Sequence, residues 1–245
     1  MFKRLLLCLF ILSQGICFAY DKQNDEYSCG VVSAYNLIND KCPDCKNNEI
    51  PELNKLLKTD ENGTTTFNLC NGLEKYFAKQ KISTDIKYYG IKKVRKFKEK
   101  QNIDFKTVEQ YLANGYSAII NIGIYKKSNN TYIRQYGHYV NLISINDNEL
   151  KIFDPYDKEN EFSYWQIKQE NVNLQNINDN EKYEKIENNL YIVLSPINYL
   201  EQDEYAISNG IILIKILDFK ILKNFSTLSC PKIPELCLNS RHLRF

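Results

Sequence analysis

Helical periodicity runs through the first half of the chain, stops at Gly115, and gives way to strand patterns from residue 117 onward. Helices first and strands after argue for an α+β fold rather than alternating βα units. In the helical half, Val31, Tyr35 and Ile38, with Val32 beside them, fall at the spacing of one helix face. Residues 51–57 read as a short helix with Pro51 in its first turn. Thr65 or Thr66 then caps a helix whose face is Leu69, Leu73, Tyr76 and Phe77, with Cys70 at its border. Asp104 caps a last helix carrying Val108 and Leu112, and Gly115 ends it. Residues 84–89 read as a strand within this half.

The second half reads as strands over residues 117–125, 138–145, 149–153 and 190–194, the last stopped by Pro196. Ser128-Asn129-Asn130 and Asn146-Asp147-Asn148 are turns, and residues 171–180 form a polar loop. Beyond residue 198 the pattern changes. Residues 211–217 are apolar but too short and interrupted to span a bilayer; they fit an extra strand or a helix packed on the main domain. No internal repeat is visible.

The N-terminus reads as a secretory signal: Lys3-Arg4, an apolar core over residues 5–12, and a small-residue cleavage site at Cys17-Phe18-Ala19. Ile16 is a poor match to lipoprotein processing at Cys17. The expected organisation is therefore a signal over 1–19, one domain over 20–197, and a C-terminal extension over 198–245, in a secreted or periplasmic protein with no stable membrane insertion. Loss of Lys3 and Arg4 takes the formal charge from +2 to zero, which leaves no electrostatic case for nucleic acid or an anionic membrane surface. The six Lys and Arg of residues 92–100 read as a solvated face.

Of eight cysteines, Cys8 and Cys17 leave with the signal. Cys230 and Cys237 bracket Pro231 and Pro234 and look like a local disulfide clip. Cys42-Pro43-Asp44-Cys45 could be a redox pair, half a zinc site, or the source of one bond to Cys70; a structural role for these three fits best.

Cys29 stands apart. It falls at the start of a buried helix, where the macrodipole and free N–H groups favour a thiolate. Gln23, six residues earlier, can loop back and aim a side-chain N–H beside the sulfur, which suits a nucleophile with an oxyanion hole. An isolated Cys in such a place is more often a small buried residue. The chain has only two histidines, and His242 lies in the tail, so His138 is the one comfortable partner. Asp154 follows it by sixteen residues on the returning strand of a hairpin. If Ile145 pairs with Glu149, Asp154 faces Val140, diagonal to His138; a one-step shift puts the two directly opposite. In either case both side chains share a sheet face within reach of each other. Asp154 could then hold the imidazole in one tautomer and leave its other nitrogen towards the sulfur.

Gln23…Cys29-Gly30, Gly137-His138-Tyr139-Val140 and Phe153-Asp154-Pro155 resemble papain-like cysteine peptidases, and among these the branch of bacterial double-glycine leader peptidases and their free-standing secreted relatives. Gly63-Thr64-Thr65 followed by residues 71–76 is similar to that family's intervening helix. The resemblance covers roughly residues 23–196. It implies a papain-like fold, with the Cys helix in the N-terminal helical half and His and Asp on the C-terminal antiparallel sheet. It implies Cys29 as nucleophile, His138 as base, Asp154 as orienter and Gln23 as oxyanion donor, acting on a peptide or protein with no cofactor and no metal. The loop of Cys42 and Cys45 and the C-terminal extension depart from the pattern, and double-glycine specificity is not carried over. Two other readings stay open: a transglutaminase-like or γ-glutamylcysteine-transferring acyltransferase on the same triad, and a non-enzymatic, disulfide-stabilised binding protein.

Overall fold

The computed structural model describes residues 20–45, 49–100, 102, 104–159, 161–175 and 186–217. The signal segment, Cys230, Cys237 and His242 lie outside these residues.

Helix α1 (Cys29–Lys41) is followed by α2 (Ile50–Leu57) and α3 (Thr66–Lys79). Pro51 occupies the first turn of α2, and the Thr65 side chain accepts from Asn68 N–H at the start of α3, as the sequence leads one to expect. Leu69, Leu73, Tyr76 and Phe77 are all buried. Helix α1 differs from its expected one-sided form: Ser33, Ala34, Asn36 and Leu37 are buried, while Tyr35 is only partly so. The reason is that α1 is enclosed, with α2 and α3 on one side and the sheet on the other. Its polar side chains are matched there: Asn36 exchanges two hydrogen bonds with the backbone of Asp21 (2.7 and 3.0 Å).

The strands are β1 (Thr84–Gly90), β2 (Lys98–Lys100), β3 (Ser117–Ser128), β4 (Thr131–Asn146), β5 (Glu149–Phe153), β6 (Ser163–Gln175), β7 (Ile186–Val193) and β8 (Glu204–Ile216). Helix α4 (Phe105–Ala113) precedes β3 and is capped by Asp104. The order is β2-β1-β8-β3-β4-β5-β6-β7; further pairings of β7 with β8 and of β4 with β6 curl the sheet into a barrel-like form. Pairing is antiparallel except between β1 and β2 and over the short contact of β4 with β6.

One expectation is corrected here. Residues 171–175, read as part of a polar loop, complete β6, because alternate residues Val172 and Leu174 are buried against Leu190 and Ile192. Of the two readings open for the apolar run at 211–217, the strand is the one seen: residues 211–216 lie in β8, which sits between β1 and β3. Its run Ile211-Ile212-Leu213-Ile214 is continuously apolar because both faces are covered. Ile212 and Ile214 join the core under α1–α3, while Ile211 and Leu213 join a second core with Ile120, Ile122 and Val140. The basic stretch at 92–100 forms a 3₁₀ turn (Arg95–Phe97) and β2; Lys96 pairs with Glu74 at 2.6 Å and Arg95 lies over the Phe67 ring. Among the described residues, no helix is long and apolar enough to cross a membrane.

Candidate active site

Cys29 is the first residue of α1, so its N–H is among those with no partner inside the helix. The loop before it is shaped by Asp25, whose Oδ1 accepts from Tyr27 N–H (3.0 Å) and Ser28 N–H (2.7 Å). Gln23 donates its side-chain Nε2–H to Asp25 O at 2.7 Å and its backbone N–H to Pro155 O at 2.9 Å. The Gln23 amide is thus tied to the loop that leads into Cys29 and to the residue after Asp154. One of its two Nε2 hydrogens is used on Asp25, and the side chain lines the same cleft as Cys29.

Strand β4 brings the second half of the site to α1. Ser33 Oγ–H donates to Tyr139 O (3.2 Å), and Asn141 Nδ2–H donates to Ser33 O (2.9 Å). The Tyr139 hydroxyl donates to Thr64 O and accepts from Thr66 Oγ1–H, both at 3.0 Å. Gly30 fits this junction because a Cβ there would stand 3.0 Å from Thr64 Cβ and 3.3 Å from the Tyr139 ring. Residue 138 is therefore delivered beside the start of α1 by its own neighbour in the strand.

His138 is buried, and its Nε2 lies 2.7 Å from Asp154 Oδ1. Asp154, 2% exposed, also accepts from Tyr156 N–H (Oδ1, 2.9 Å) and from the Tyr199 hydroxyl (Oδ2, 2.6 Å). Lys22 donates to the Asp154 main-chain carbonyl at 3.1 Å. Burial alone would lower the His138 pKa. The Asp154 carboxylate, and Cys29 through its charge and a hydrogen bond, outweigh that and push it up to about 10. Burial would raise the Asp154 pKa, but the imidazolium and the three donors bring the net value below the ordinary carboxylate value. With Nε2 committed to Asp154, Nδ1 is the ring nitrogen left for the sulfur.

Cys29 is a free thiol, as is Cys70. The two differ in surroundings: Cys70 is sealed in the helical core, and burial pushes its thiol pKa well up, which keeps it protonated and inert. Cys42 and Cys45 are bonded to each other, Cα atoms 5.3 Å apart, so neither pairs with Cys70. Cys29, His138, Gln23 and Tyr199 line one cleft of about 620 Å³, together with Thr64, Asn121 and Arg134. Three of the four expected residues, Gln23, Cys29 and His138, line this cleft, and the fourth, Asp154, is joined to His138. Sequence reasoning missed Tyr199 and Tyr156. In a chain with eighteen tyrosines no single one carries a signal, and Tyr199 lay in the stretch read as an extension.

A buried carboxylate–imidazole pair beside a free thiol at a helix start is a unit able to form a thiolate and to move one proton. The model of the peptidase C39-like family matches residues 16–190. No curated protein matches the chain. Among solved structures, the peptidase domain of Streptococcus ComA, a bifunctional ABC transporter, is similar at 19% identity and a TM-score of 0.39, over 60% of this chain and 84% of that one. The corresponding domain from Streptococcus mutans is similar at 17% identity and a TM-score of 0.35, over 61% and 86%. Since the family model spans well over half of the sequence, the chain belongs to the peptidase C39-like family and is a cysteine peptidase.

Proposed function

We propose that this is an exported cysteine peptidase in which Cys29, His138 and Asp154 form the catalytic triad and Gln23 stabilises the oxyanion. The observation that carries the reading is His138 held by Asp154 at 2.7 Å in the cleft that the free thiol of Cys29 also lines. The Cys29 thiolate attacks the scissile carbonyl of a peptide or protein. The second Nε2–H of Gln23 and the Cys29 N–H stabilise the oxyanion. His138 passes its Nδ1 proton to the leaving amine, and a water deprotonated by the same imidazole then cleaves the thioester. Asp154 holds the ring in place and balances the imidazolium charge.

Export is supported by the signal pattern of residues 1–19 and by the Cys42–Cys45 disulfide, which suits an oxidising compartment. The catalytic domain in this proposal runs on through β8, since that strand lies between β1 and β3.

The test is alkylation with iodoacetamide near pH 6, with the labelled residue identified by mass spectrometry, alongside digestion of a peptide library. Cys29 should label far faster than an ordinary thiol, and Cys29→Ala should lose both the fast label and all cleavage. Slow labelling of Cys29, or cleavage that survives Cys29→Ala, would sink the proposal.

A further inference from the structure

The Asp154 carboxylate has two oxygens, and His138 uses only one of them. Oδ1 takes the imidazole and the Tyr156 N–H, whereas Oδ2 takes the Tyr199 hydroxyl at 2.6 Å. A carboxylate this deeply buried leaves a costly orphan if either oxygen loses its donor. With one oxygen held it can still turn about its Cβ–Cγ bond; with both held it cannot. The Tyr199 ring adds a second constraint, standing edge-on to His138 (5.9 Å between centroids) and to Tyr156 (5.0 Å). Tyr199 comes from the connection between β7 and β8, past residue 190, where the family match ends.

We propose that Tyr199 is a positioning residue of this site: its hydroxyl fixes the Asp154 carboxylate in the orientation that aims His138 Nδ1 at Cys29, and its ring packs the imidazole edge. The inference rests on the triad reading above. In this role Tyr199 depends on β8, since placing that strand in the sheet brings the chain past Asp154 at residue 199.

The groups around Asp154 set the sign of the effect. His138 and the Tyr156 N–H share Oδ1, Lys22 sits on the main-chain carbonyl, Cys29 lies beyond the imidazole, and Asp157 is near Lys22. The Tyr199 hydroxyl donates to the charged form and so favours ionisation of Asp154. Without it Asp154 takes up a proton at higher pH, His138 loses its counter-charge sooner on acidification, and the thiolate is lost with it.

The experiment is the pH dependence of Cys29 alkylation by iodoacetamide, in the parent protein and in Tyr199→Phe, which keeps the ring and removes the hydroxyl. The acid-side loss of reactivity should move up by about one pH unit, with circular dichroism unchanged. Superimposable profiles would overturn the proposal. A second measurement needs no variant: in the parent protein the ¹³Cζ resonance of Tyr199 should titrate with the Asp154 carboxyl, and independent titration would likewise overturn it. Failure of the triad reading looks different, because the parent itself would then show no fast label on Cys29.

Discussion

His138 and Asp154 meet at 2.7 Å although their strands are not in simple register. At the turn Asn146 pairs with Glu149 and Ile145 with Leu150, which leaves Asp147-Asn148 as a two-residue connection with Asp147 in the left-handed region (φ 53°). Continued without a break, that register sets His138 against Asp157 and turns Asp154 to the other face of the sheet. A bulge between Leu142 and Ser144 takes up one residue, so that Leu142 pairs with Ile152 and Asn141 with Phe153. Extended by one step, this sets Asp154 against Val140, diagonal to His138 and on its face.

The carboxylate should therefore matter through its charge and its direction. Asp154→Asn keeps the shape of the side chain but removes the counter-charge and offers a donor as readily as an acceptor. The turnover number should fall about 10²- to 10⁴-fold, with the His138 pKa dropping below that of the parent. Steady-state kinetics and a ring NMR titration check both, and with two histidines in the chain the His138 resonances are readily assigned. An unchanged His138 titration would count against the pairing.

Stability should depend on pH in a defined sense. The folded pKa of His138 is raised from 6.5 to about 10, so its contribution is complete below pH 6.5 and is lost as pH rises from there to about 10. The folded pKa of Asp154 is lowered from 3.8, so its contribution is present above that value and is lost as pH falls through the folded value. The two describe one interaction and do not add. Urea midpoints should be highest between these limits, and the alkaline decline should flatten in Asp154→Asn.

In the proposed mechanism Gln23 serves the oxyanion and not the formation of the thiolate. Gln23→Ala should lower the turnover number about 10²- to 10³-fold while alkylation of Cys29 by iodoacetamide stays near the parent rate, because alkylation develops no oxyanion. Equal losses in both assays would instead mean that Gln23 only shapes the loop tied to Asp25 and Pro155.

Truncation tests the place of β8. A chain ending at residue 197 lacks a strand in which Ile207, Ile211, Ile212 and Leu213 are fully buried, and it exposes the facing edges of β1 and β3. Such a chain should fail to show a cooperative thermal transition. A soluble, cooperatively folding product would place β8 outside the domain's minimal fold.

Local chemistry made much of this molecule legible in the sequence alone. Thr65 and Asp104 cap their helices, Pro51 opens one and Gly115 closes another (φ 82°), because capping and turn formation depend on residues a few positions apart. The candidate nucleophile, its imidazole and its carboxylate could be named because thiol chemistry needs those groups and the chain holds few histidines. Tertiary structure decided what depends on distant partners. The apolar run of β8 is equally consistent with a buried helix or a buried strand until β1 and β3 flank it. The bulge in β4 obeys the packing of two sheet faces rather than any single residue. Tyr199, forty-five residues after Asp154 in the chain, reaches it only because β8 begins just beyond Tyr199 and takes its place in the sheet. Pairing across such separations is set by burial and ladder hydrogen bonds, which a linear pattern does not encode.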